Sequence, residues 1–219
     1  MSNIIWNTTI PTKWLVWEWL LDWDALDTSW EWNDWDATDV TFVDSERGYV
    51  KDAGSFNGSS SNVNMWGKNI ISQDYTLSVW VKQTSSDSNT SPLSNWSSDW
   101  YMIYFTDDDI RLYSNDTYDT YTDWQLILNN WKYHLITWIK NWQLSKLYID
   151  WNLIWTGWWS LDNTINHSDE ELIIWTYWKS DNYWDYLTWN ISQPKIYNRA
   201  LSPLEIQQLY YSEKWNFIN

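Results

Sequence analysis

An all-β fold, a two-sheet antiparallel β-sandwich of the jelly-roll type with one short C-terminal helix, is what this 219-residue sequence predicts. Three observations predict it. Short apolar runs with period-two alternation recur along the chain. Clusters of Ser, Thr, Asn and Asp separate them. Only one segment, near the C-terminus, carries helix-capping chemistry.

Taken in order, the strand candidates are WLVWEWLL (14–21), ATDVTFV (37–43), GYVKDAGSF (48–56), SNVNM (61–65), YTLSVWVKQ (75–83), WYMIYF (100–105), IRLYS (110–114), YHLITWIK (133–140), LSKLYI (144–149), ELIIWTY (171–177) and ISQPKIYN (191–198). In the fifth, Tyr75, Leu77, Val79 and Val81 share one face, and Thr76, Ser78, Trp80 and Lys82 the other. QTSSDSNTSP (83–92) reads as a polar loop closed by proline, and FTDDDIR (105–111) as a hairpin turn. The helix is LSPLEIQQLYYS. Ser202 is its N-cap, Pro203 sits at N1 and Glu205 at N3 completes a capping box, with Leu204, Ile206, Leu209 and Tyr210 available for packing. No repeat of 20 to 50 residues is evident. One domain, 10–212, is expected between a tail at 1–9 and another at 213–219.

Formal charge is −16, from 29 acidic and 13 basic residues, so a phosphate-binding surface would have to work against the field of the whole molecule. Nucleic acid is excluded as a partner on that ground. The absence of Cys rules out disulfides and thiolate metal sites. No apolar run approaches the roughly 20 residues of a membrane span, so membrane insertion is not expected. The opening MSNIIWNTTIPTK shows no basic region followed by an apolar one, and no signal peptide is visible.

The composition is abnormal in one respect: 25 Trp stand beside 5 Gly, where an average domain of this length carries roughly 15 Gly. Eight tryptophans (Trp23, Trp35, Trp96, Trp100, Trp124, Trp131, Trp142 and Trp151) directly follow Asn or Asp. Asn-Gly and Asp-Gly are the dipeptides of type I′ hairpin turns, whose two central residues need positive φ. With Trp142 and Trp151 read as glycine, IKNWQLSKLYIDWNLI (139–154) becomes a β-meander with two tight turns. Most of the tryptophans therefore read as glycine positions, as when a UGA codon that means Gly in its own genome is translated as Trp. Trp19, Trp80, Trp131 and Trp138 lie within strand patterns and read as true tryptophans.

Several segments share one pattern once those glycines are restored. LVWEWLLDWDALDTSWEWNDWDAT (15–38) sets Trp30, Trp32 and Trp35 on three turn glycines. AGSFNGSSSNVNM (53–65), YTLSVWVK (75–82), NNWKYHLITW (129–138), LYIDWNLI (147–154), ELIIWTY and TWNISQPKIYNRALSPLEIQQLY (188–210) follow. Together they resemble the laminin G-like domains of the concanavalin A-like lectin/glucanase superfamily over nearly the whole chain, the last block being the most specific. Ser192-Gln193 departs from the acidic pair usual before the final strand. The resemblance implies a non-catalytic recognition module for carbohydrate or another cell-surface ligand, with a glycan or cell-surface protein as partner and an extracellular or cell-surface location. A structural or adhesive module of a larger surface or tail-fibre protein is one alternative. A glycoside hydrolase with an unrecognised carboxylate pair is another.

Hydrolases of that superfamily carry paired carboxylates spaced Glu-x-Asp-x-x-Glu on one strand, about 5 to 5.5 Å apart in retaining enzymes. No predicted strand has that spacing, and Asp169, Glu170 and Glu171 read as a solvated turn. His134 has a hydrogen-bonded packing role in prospect, and His167 lies in a polar loop. No catalytic residue is assigned and no cofactor is required. A structural calcium ion is weighed on Asp22, Asp24 and Asp34, with Asp107, Asp108 and Asp109 as a second acidic tip, against the simpler reading of both as turn residues. Glycan binding asks for aromatic rings beside amides and carboxylates. The candidates are Tyr101, Tyr104, Asn115, Asp116, Tyr118, Asp119, Tyr121, Asn182, Tyr183 and Tyr186.

Overall fold

The computed structural model describes residues 12–21, 28, 36–44, 51–65, 74–84, 90–95, 101–106, 109–114, 117–122, 128, 131–142, 144–158, 172–174, 176–179 and 183–217. Two antiparallel sheets stack face to face. The first runs in the order β13 (Asn152–Trp158), β12 (Leu144–Ile149), β11 (Tyr133–Asn141), β6 (Tyr75–Lys82), β17 (Asn190–Tyr197), β4 (Lys51–Ser55) and β3 (Thr41–Asp44), and β1 (Leu15–Glu18) also pairs with β17. The second runs β10 (Thr117–Thr122), β9 (Asp109–Ser114), β8 (Tyr101–Phe105), β7 (Thr90–Asn95), β14 (Leu172–Ile174), β5 (Asn62–Met65) and β2 (Asp36–Thr38). A hairpin of β15 (Thr176–Lys179) and β16 (Tyr183–Tyr186) stands apart from both. The expected sandwich with one C-terminal helix is what the chain forms.

The facing surfaces bury one set of alternate residues from each strand. Leu77, Val79, Val81, Ile136 and Trp138 come from the first sheet, and Val63, Leu93, Ile103, Phe105, Ile110 and Leu112 from the second. Each large aliphatic side chain taken out of water contributes roughly 1.5–3 kcal/mol. The other face of the first sheet is not solvated either. Trp80, Tyr133, Leu135 and Tyr197 pack there against Ile206 and Leu209 of helix α1 (Pro203–Glu213) and against Phe217. Of the polar-side residues of YTLSVWVK, only Lys82 escapes full burial, because the helix lies across them.

Three features pin that helix. Ser202 and Glu205 form the expected capping box, with Pro203 in the first turn. Arg199 then holds the Glu205 carboxylate with two nitrogens, at 2.9 and 2.6 Å, and donates to the Lys13 carbonyl at 3.0 Å. Beneath the far end of the helix, the buried Lys195 ammonium lies 2.8 Å from Glu213 and 3.0 Å from Glu18. A bulge in β17 between Ser192 and Lys195, with Gln193 at φ 45, turns Lys195 to this face.

Some elements differ from expectation. Thr90–Asn95, whose first residues read as loop, form β7; a register shift between Thr90 and Leu93 brackets Pro92, which has no N–H to give to a ladder. β10 and β16 are not among the strand candidates, the first because TYDTYT is polar at every non-tyrosine position, and β13 is anticipated only at its start, as the third arm of the meander. The packed chain extends beyond residue 212, since Glu213 and Phe217 are both buried. The meander forms, with Asn141 paired to Leu144 across a turn that contains Trp142, and with a second turn at Asp150-Trp151. Trp142 has φ 49, and Asp150 and Trp151 have φ 50 and 65, the sign a type I′ turn demands. The first turn is centred one residue later than the Asn141-Trp142 dipeptide suggests. Trp19, Trp80 and Trp138 are fully buried, as expected of true tryptophans. Trp131 is a correction: it precedes β11 rather than lying in it, with φ 61 and its ring 55% exposed.

Candidate functional site

Strands β8, β9 and β10 form one end of the second sheet, and their alternation divides the candidate tyrosines between its two faces. Tyr101, Ile103 and Phe105 of β8 point into the core with Ile110 and Leu112 of β9. Met102 and Tyr104 take the outer face with Asp109, Arg111 and Tyr113, because successive strand residues point oppositely. Tyr104 pairs in register with Arg111, which pairs with Thr120; Met102 pairs with Tyr113, which pairs with Tyr118.

On this outer face the rings of Tyr104 and Tyr113 meet edge to face, with centroids 6.2 Å apart. Arg111 donates from Nε to Asp109 Oδ1 at 2.9 Å. The same carboxylate accepts the Thr106 hydroxyl at 2.7 Å, and the Thr106 N–H donates to the Asp109 carbonyl at 2.8 Å, closing the β8–β9 hairpin. Burial alone would favour loss of the Arg111 proton, but hydrogen bonding with Tyr113 and Asp109 outweighs it and raises the pKa. The guanidinium, about one-third exposed, is thus a fixed cation among tyrosine rings. Tyr104 is itself buried, so what this face can offer a sugar is the half-buried Tyr113 ring for stacking and the Arg111 guanidinium as donor to hydroxyl or carboxylate oxygens.

The tyrosines read together from the sequence are only partly brought together. Tyr104 lies on the outer face, only 5% exposed, and Tyr118 holds the register position beside Tyr113. Tyr101 is a core residue, its ring 5.7 Å from that of Tyr75, and Tyr121 packs on the same core. Neither presents a stacking face to a ligand, because both fall on the inward phase of their strands. Asp119 pairs with inward-facing Leu112. Tyr183 and Tyr186 lie in β16, opposite Lys179 and Thr176 of β15, and β15 runs beside β7. Asn115, Asp116 and Asn182 lie outside the described residues, as do Asp22, Asp24, Asp34, Asp107, Asp108, His167, Asp169, Glu170 and Glu171. Arg111 and Tyr113, which share this face, are not among the candidates read from the sequence. The signal for them was the alternation of DIRLYS, which sets both opposite Ile110 and Leu112.

A second polar pair is tied into the fold. His134 Nδ1 lies 2.6 Å from Asp150 Oδ2, and Asp150 Oδ1 accepts the Leu135 N–H at 3.0 Å, so this pair ties β11 to the turn after β12. Among the described residues no group of three His, Cys, Asp or Glu is placed to hold a metal ion.

Comparison with known proteins places these features in a wider setting. The family model of the concanavalin A-like lectin/glucanases superfamily, of laminin G type, matches residues 57–207. None of the curated proteins compared with the sequence matches it. The receptor-binding domain of botulinum neurotoxin D is similar in structure, with a TM-score of 0.74 at 16% identity, over 94% of this chain and 56% of that one. The serotype D ligand-binding domain in complex with N-acetylneuraminic acid gives 0.71 at 14% identity, over 92% of this chain and 52% of that one. The chain therefore spans about half the length of those toxin domains. Domain 4 of an extracellular arabinanase from Geobacillus stearothermophilus, in complex with arabinotriose, gives 0.69 at 17% identity, over 90% of this chain and 98% of that one.

Proposed function

From the premise that this chain belongs to the concanavalin A-like lectin/glucanases superfamily, we propose that it is a non-catalytic recognition module that binds carbohydrate at a cell surface or outside the cell. The carrying observation is the outer face of the second sheet, where the half-buried Arg111, held by Asp109, stands beside Tyr113 and the register position of Tyr118. Fixed donors beside flat rings suit sugar hydroxyls and the apolar faces of pyranose or furanose rings. The arabinanase domain supports the reading, because it has nearly the extent of this chain and was solved with a trisaccharide. The toxin domains support it less directly, being about twice as long.

Hydrolysis is disfavoured by the use to which the best-defined carboxylates are put. Asp109 binds Thr106 and Arg111, Asp150 binds His134 and the Leu135 N–H, Glu205 binds Arg199 and Ser202, and Glu18 and Glu213 bind Lys195. Each of these carboxylates is committed to the fold rather than paired across a cleft.

A glycan array followed by calorimetric titration of the best ligand tests the reading. Saturable binding is expected, and Arg111→Ala or Tyr113→Ala is expected to weaken it about ten-fold or more, while the urea midpoint stays near that of the parent. A flat array, or binding that both variants leave unchanged, would overturn the proposal in favour of a structural or adhesive module with protein partners.

A further inference from the structure

Among the described residues, fully buried tryptophans contrast with four that sit at left-handed backbone positions, and we infer from the contrast that glycine occupies positions 14, 131, 142 and 151 in the functional protein. Trp19, Trp80 and Trp138 are fully buried. Trp80 donates its indole N–H to Glu213 and Trp138 to the Ser145 hydroxyl, both at 2.7 Å. The rings of these two are packed as well, Trp80 on Phe217 and Trp138 edge-on to Tyr75. Size, shape and donor of the indole are all in use.

The second kind is marked by its backbone, although Trp151 does rest its ring against Tyr211, with centroids 6.0 Å apart. Trp14, Trp131, Trp142 and Trp151 have φ of 64, 61, 49 and 65, the left-handed region in which a Cβ crowds the following carbonyl and which glycine enters freely. Among the described residues tryptophan supplies four of the eight non-glycine residues in that region, though it is 14 of the 140, so chance placement does not account for it. Trp14, Trp131 and Trp142 expose 55–59% of their surface, and little burial offsets the strain. Trp142 and Trp14 contribute through the backbone: the Trp142 N–H donates to Asp74 Oδ1 at 2.6 Å, and the Trp14 carbonyl accepts from the Asn198 N–H at 3.0 Å. Glycine makes both bonds equally well. Trp151 occupies the second central position of a type I′ turn after Asp150, the place where Asp-Gly is preferred.

A codon that specifies glycine in the native host and is written as tryptophan under another code produces this division. It bears on recognition too. The exposed indoles at 14, 131 and 142 would otherwise be the natural choice for a sugar-stacking platform; with glycine there, any such platform must come from tyrosine and arginine.

Two measurements test the inference. Tandem mass spectrometry of the native protein, read with the gene, is expected to find glycine and UGA at positions 142 and 151. Tryptophan there, encoded by UGG, would overturn it. In parallel, Trp142→Gly and Trp151→Gly made in the chain as written are each expected to shift the unfolding equilibrium about five-fold toward the folded state. Variants that are no more stable than the parent would show that the left-handed turns carry no strain and would equally sink the assignment. Neither readout involves a sugar, so failure of carbohydrate binding would leave this result standing, and the reverse.

Discussion

Trp80 serves two layers at once: its backbone belongs to the central strand β6, while its ring stacks on Phe217 at 4.6 Å and its N–H reaches the buried Glu213 carboxylate. Trp80→Phe keeps most of the apolar area but strands one carboxylate oxygen without its donor, which costs about 1–3 kcal/mol. Trp80→Ala adds a cavity and is expected to cost about 3–5 kcal/mol. Urea unfolding at neutral pH separates the two, and a Phe variant as stable as the parent would assign the whole contribution to packing. The sequence made the inward phase of this strand legible, because Tyr75, Leu77, Val79 and Val81 alternate without interruption. It did not reveal that the opposite phase is covered. The same limit affected the site. Tyr101 and Tyr104 belong to one aromatic run, YMIYF, yet point to opposite faces, and five apolar residues in succession contain no polar marker of which phase is outward.

At the level of the element, helix α1 was readable to the residue at its start and opaque at its end. Ser202, Pro203 and Glu205 are adjacent in sequence, so the capping box can be seen locally, whereas the pairing of Glu213 with Lys195 and Glu18 depends on strands far away in the chain. These two ends respond to pH in opposite directions. Hydrogen bonds from Arg199 lower the Glu205 pKa to about 2. Its contribution to stability is therefore complete above the unfolded value of 4.5 and is lost as pH falls toward 2. Burial raises the Glu213 pKa despite the Lys195 ammonium and the Trp80 N–H. Its contribution is complete below 4.5 and declines as pH rises through the elevated folded value. Desolvation of this fully buried carboxyl is the main cause, and the nearby Glu18 charge adds to it. Urea unfolding from pH 2.5 to 8 should show the acid loss flattened in Glu205→Gln and the loss above pH 4.5 flattened in Glu213→Gln. If either substitution leaves its limb of the profile unchanged, that carboxylate is not the group responsible.

For the molecule as a whole, the sandwich could be read from the sequence because both sheets are built from short alternating strands, while strand order could not, since β6 sits between β11 and β17 through pairings more than fifty residues apart. The closing block places β17 at the centre of the first sheet, where one edge of that strand pairs with β6 and the other is shared by β4 and β1. Net charge acts at this same scale. A formal charge of −16 on one domain repels itself, and the repulsion is longest-ranged at low ionic strength, where the screening length is about 30 Å at 0.01 M against about 8 Å at 0.15 M. Raising sodium chloride over that interval is therefore expected to raise Tm. The buried Lys195 cluster and the inter-sheet core are screened far less, so the gain should track surface charge and persist in Trp80→Phe with a similar size. A Tm that falls with salt would mean that the described ion pairs, Arg199–Glu205 and Arg111–Asp109 foremost, outweigh the repulsion of the remaining acidic surface. In a carbohydrate-binding module of this charge, uncharged sugars gain access without an electrostatic penalty, so their affinity should change little over the same interval, whereas an acidic glycan directed to Arg111 should bind more tightly as salt screens the surrounding field.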